Sequence, residues 1–140
     1  MSLQIIVWVL SLLALVVVAL TRKRLGAEDS GSSKTVSQTI LNVHTGVGGV
    51  AVLVWTIFLA MPTSSFLGGP VVGILGLLLW WVTVFAGLAL LMRWLPSHGR
   101  HADSVEEDEW AEGPGLSLLA HVGLLLGVLV FTWAFATGVV

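Results

Sequence analysis

Four long apolar runs leave this chain of 140 residues little choice of fold. They cover residues 3–20, 36–61, 69–94 and 116–140, and the loops between them are 21–35, 62–68 and 95–115. Each run is long enough to cross a hydrocarbon core of about 30 Å at about 1.5 Å per helical residue. Lipid offers the backbone no hydrogen-bond partner, so a crossing segment is a helix or part of a closed barrel. The runs are continuous rather than alternating, which excludes the barrel. The expected fold is therefore all-α: a single integral membrane domain, residues 1–140, built as a four-transmembrane-helix bundle in the cell membrane.

Charge agrees with this and sets an orientation. Only 10% of residues are charged, against about 25% in an ordinary soluble domain. All six basic residues, Arg22, Lys23, Arg24, Lys34, Arg93 and Arg100, lie in or beside loops 1 and 3. Basic residues collect on the cytoplasmic side of membrane proteins. Loops 1 and 3 are thus expected in the cytoplasm, with the N- and C-termini outside. The first run is not read as a signal peptide, because its basic cluster follows the apolar stretch instead of preceding it.

Composition removes whole classes of chemistry. There is no cysteine and no tyrosine, so no thiolate ligand, disulfide, iron–sulfur cluster or phenolic acid is available. Six scattered basic residues make no nucleic-acid surface. Gly46, Gly48 and Gly49 form no phosphate loop, since no lysine follows and the segment lies in a membrane span. No Ser/His/Asp arrangement or carboxylate pair occurs, and no catalytic residue is assigned. Segment 103–112 is acidic, carrying Asp103, Glu106, Glu107, Asp108, Glu109 and Glu112, and reads as a solvated loop. His98 and His101, with Asp103 nearby, have the spacing of a metal pair on one helical turn but lack defined further ligands.

Two groups remain. His44 and His121 are the only ionisable side chains at membrane depth, where polarity is costly and side chains that carry it usually face the bundle interior. Runs two and four both lead from the cytoplasm outward, and each histidine lies near its start. Aligned without gaps, the flanks share Leu41/Leu118, His44/His121, Gly46/Gly123 and Phe58/Phe135. Three uses are open for the pair: axial ligands of a haem, hydrogen-bonding groups between helices, or a proton, ion or metal site. Haem ligation by His44 and His121 needs small or apolar neighbours. Gly48 and Ala51 supply them on one helix, with Leu125 and Val128 on the other. Trp55 also falls on the His44 face, where packing is its simplest role. Gly69, Gly73 and Gly76 read as a small-residue face for bundle assembly or for a partner subunit.

At this level of architecture, plus His44 and His121, the chain resembles the four-helix membrane-embedded b-type cytochromes. The resemblance implies one haem b, electron transfer or haem handling, and contact with lipid and with membrane subunits or further copies of the chain. Two-haem members carry a second histidine about four turns along each ligand helix. Phe58 and Phe135 stand there in this chain, so the expectation is one haem at most. The other function the sequence allows is a non-catalytic accessory or assembly subunit of a larger membrane complex.

Overall fold

The computed structural model describes residues 2–28, 38–98 and 114–140. Its elements are α1 (Leu3–Glu28), α2 (Gln38–Ala60), α3 (Pro70–His98) and α4 (Pro114–Ala136). Loop residues 29–37 and 99–113 lie outside the described residues, and with them Lys34, Arg100, His101 and the acidic segment.

The helix ends follow from local chemistry. Proline opens both α3 and α4; its fixed φ suits the first helical position, where a missing N–H costs nothing. The α4 helix stops at Ala136, short of the apolar run, because Gly138 takes a positive φ of 66°. Gly138 N–H then reaches Phe135 O at 3.1 Å and Val139 N–H reaches Ala134 O at 2.9 Å. This is the paired closure of a helix on a left-handed glycine. In contrast, α1 runs eight residues past the apolar stretch, through Arg22, Lys23 and Arg24 to Glu28. Arg22, Lys23, Arg24, Leu25, Ala27 and Glu28 favour helix, and their sum carries it past the single Gly26.

Among the described residues α3 packs on α2 and α4, and α1 packs on the same two helices. The four helices thus occupy the corners of a square, with α2 and α4 on one diagonal. The α2–α3 seam is the most extensive, and glycines explain why. A side chain on Gly48 would meet Thr83 Cγ2 at 3.2 Å, and one on Gly76 would meet the Trp55 ring at 3.1 Å. One on Gly73 would run into the rings of Phe58 and Phe135. In lipid, helices associate through close packing rather than water expulsion, so small residues at a seam are what bring backbones together. Gly73 and Gly76 are therefore occupied inside the bundle, whereas Gly69 lies against the carbonyl oxygens of its own turn, at Ser65 and Phe66.

The core consists of Val7, Ala51, Trp55, Trp80, Val84, Val128, Phe131 and Ala134, all essentially inaccessible. Phe131 lies between two indoles, with ring centres 5.1 Å from Trp55 and 5.7 Å from Trp80. Among the described residues the outer face of the helices is apolar too: Leu12, Leu53, Leu78, Leu119 and Leu126 are each more than half exposed. An apolar exterior on an apolar interior fits lipid as the surrounding solvent. Among the described residues three of the four expected runs are long and apolar enough to cross a membrane, at Asn42–Ala60, Pro70–Ala89 and Leu118–Ala136, while the apolar stretch of α1, Leu3–Ala19, is shorter than that.

Hydroxyls inside this surface are satisfied by their own helices. Ser11, Thr83 and Thr132 donate to the carbonyls of Val7, Leu79 and Val128, each at 2.8 Å. Thr132 also accepts from Trp81 Nε1 at 3.2 Å, tying α3 to α4. Thr132→Val keeps the shape and removes that acceptor. It is expected to cost about 0.6 kcal/mol, the usual size of such a bond between membrane helices, read as a lower unfolding midpoint in detergent titration. An unchanged midpoint would show that this bond holds nothing.

Candidate functional site: a histidine pair across the bundle

His44 and His121 meet across the diagonal. Their ring centres are 5.9 Å apart and their planes differ by 20°. Both residues are half-buried. The meeting is not a local accident of two side chains. At the same sequence offset Phe58 meets Phe135, ring centres 5.8 Å apart, and Ala51 and Val128 are both fully buried. The helices α2 and α4 therefore run in the same direction at equal register. His44/His121 and Phe58/Phe135 are two layers of one diagonal, separated by about 20 Å of helix at 1.5 Å per residue. Gly46 and Gly123, also equivalent, have nothing within 4 Å of where a side chain would start.

The His44 ring is held by α3. Its Nδ1 lies 3.0 Å from the carbonyl oxygen of Thr83. A carbonyl only accepts, so Nδ1 carries the hydrogen, and in the neutral ring Nε2 is left with the lone pair. The Thr83 carbonyl already faces the N–H four residues on, at Gly87, in the ordinary helical pattern. Its second lone pair is reachable from the side because residue 87 has no side chain. A Cβ there would sit 2.8 Å from His44 Cε1, 2.8 Å from His121 Cδ2 and 3.1 Å from His121 Nε2. The α3 backbone is thus a wall against which both imidazoles rest.

The residues expected around the pair are placed as follows. Gly48 is buried one turn along α2, against Thr83. Ala51 and Val128 lie one further turn along, fully buried in the core. Leu125 is partly buried and packed on that core. Trp55 belongs to the core, with ring centres 5.2 Å from Phe58 and 5.1 Å from Phe131, and does not approach the histidines. The side chains of Arg93 and His98 lie outside the described residues. Thr83 and Gly87 are the site residues that sequence patterns do not reveal.

Chemically, the pair offers two imidazoles and no carboxylate. Among the described residues no three histidine, aspartate or glutamate side chains gather as a metal set. A tetrahedral zinc site needs more protein ligands than this. A metal that brings its own ring of ligands needs only two. An imidazole nitrogen sits about 2 Å from a bound first-row metal, so two such bonds and two ring radii of about 1.1 Å place ring centres roughly 6 Å apart. The observed separation of 5.9 Å, between rings 20° from parallel, is of that size. Comparison with known protein families, curated proteins and solved structures gives no match for this chain.

Proposed function

We propose that this chain spans the cell membrane four times and binds one haem b through His44 and His121, near the cytoplasmic face, for electron transfer or haem handling. The observation that carries the reading is the pair itself: two imidazoles from non-adjacent helices held at a metal-sized separation. The donor chemistry agrees, since facing helices of a bundle are a standard source of two axial nitrogens. The Thr83 carbonyl orients His44 as an outer partner orients a ligating histidine, by fixing which nitrogen carries the proton. Gly48, Ala51 and Val128 would keep that end of the site apolar and dry.

His44 and His121 would hold the haem, which when bound would supply one-electron chemistry. The phenyl rings of Phe58 and Phe135 stand where a second pair of ligands would be needed. Passage of an electron across the whole membrane would then require a partner subunit or a further copy of this chain.

The test is direct. The protein purified in detergent from haem-replete cells is expected to show a Soret band and, when reduced, separate α and β bands. A colourless wild-type preparation would remove the haem reading and leave the second one, an accessory subunit. That second reading draws on Gly46, which opens outward from α2 and suits close approach by a foreign helix.

Orientation rests on the lysine and arginine distribution and has its own test. The chain has no cysteine, and Ser64 is exposed in the α2–α3 connection. A Ser64→Cys variant is expected to react with a membrane-impermeant maleimide added to intact cells. Reaction only after lysis would invert the proposed topology.

A further inference from the structure

Gly87 is the point where α3 touches both imidazoles at once. Carbon atoms pack comfortably at about 3.5–4.0 Å, so a Cβ at 2.8 Å from each ring forces a movement. Three movements are available, and each has a consequence. The His44 ring can withdraw, but it is held on the Thr83 carbonyl at 3.0 Å and would lose that bond. The His121 ring can withdraw, which changes the 5.9 Å separation. The α3 helix can withdraw, but it is seated on α2 through Gly48 against Thr83 and Gly76 against Trp55. The small size of residue 87 is therefore a condition for the pair's geometry. A porphyrin surrounds its iron on every side, so seating one between the rings requires the rings and α3 to part at Gly87, and any side chain added there opposes that.

We propose that Gly87 is the positioning residue of the histidine pair: its missing side chain lets both imidazoles rest on α3, sets the gap between them, and exposes the Thr83 carbonyl that fixes the proton of His44 on Nδ1. This deepens the haem reading and rests on it for the identity of the ligand. The geometric claim about the two rings stands separately.

The experiment compares wild type, Gly87→Ala and Gly123→Ala, the last a control on α4 with nothing within 4 Å. Haem titration and electron paramagnetic resonance of the oxidised protein report ligation. Imidazole nitrogen NMR of the haem-free protein reports the Nδ1–H form of His44. Gly87→Ala is expected to weaken haem binding about tenfold or more, the usual size of an outer-partner effect. It should also convert the low-spin signal to high spin and erase the Nδ1–H signature, with Gly123→Ala unchanged. Wild-type affinity and spin state in Gly87→Ala would overturn the proposal. If wild type binds no haem, the haem reading fails and NMR alone decides: loss of the Nδ1–H signature supports the role of Gly87, and its retention overturns it. If Gly87→Ala does not fold, it is placed in a background of His44→Ala and His121→Ala. Recovery of folding there supports the clash with the rings, and continued failure refutes it.

Discussion

His44→Ala and His121→Ala are each expected to abolish the low-spin haem spectrum. The two losses should differ in kind. Without His121, His44 is still braced by Thr83 at 3.0 Å, so a remnant of one-sided, high-spin binding is expected. Without His44 the braced ligand is gone, and haem content should fall close to zero. Neither change should unfold the protein, because both rings are half-buried and the inaccessible core lies elsewhere. Each should cost no more than about 1 kcal/mol, as for one inter-helix polar contact. Haem per protein from the pyridine haemochrome assay, together with a detergent unfolding curve, measures both quantities. If either variant kept the full low-spin spectrum, His44 and His121 would not be the two ligands.

The largest loss of stability is expected from Trp55→Ala. Trp55 is 0% exposed and its ring contacts Phe58, Phe131 and the bare backbone of Gly76. In a bilayer the transfer of apolar surface from water contributes little, so the cost comes from lost contacts and the void left behind. A void on the order of 100 Å³ costs about 2–3 kcal/mol at ~24 cal/mol per Å³. The Nε1–H of Trp55 has no hydrogen-bond partner among the described residues, so shape rather than polarity explains this residue. Trp55→Phe should accordingly recover a large part of the loss. Unfolding midpoints of the two variants in mixed micelles test this, and an alanine variant as stable as wild type would contradict the packing described.

These two expectations drew on the sequence to different degrees. The helices were legible because lipid demands long apolar segments, and three meet that demand within the described residues. Their ends were less legible, because a helix need not stop where the hydrocarbon does. Helix α1 continues through Arg22–Arg24 to Glu28, and α4 closes early on Gly138. That His44 and His121 face one another follows from equal register on two helices of the same direction, which the alignment with Phe58 and Phe135 already hinted at. The distance between the rings was not legible. It depends on Gly87 and on a backbone carbonyl at Thr83, and a carbonyl leaves no mark in a sequence. The glycines at 73 and 76 were readable as a packing face, but only contacts with Phe58, Phe135 and Trp55 assign that face to the inside of the bundle.

The diagonal placement of α2 and α4 has a mechanical consequence. The gap between the imidazoles is bounded by the two seams that α3 makes with α2 and α4, so it works as a caliper on those three helices. A ligand gripped by both imidazoles would hold α2 and α4 together against α3, and would raise the melting temperature with its concentration as linkage requires. By the same coupling, a bilayer that spreads the helices loosens the grip, and the thickness of the surrounding lipid becomes a control on how firmly the ligand is held.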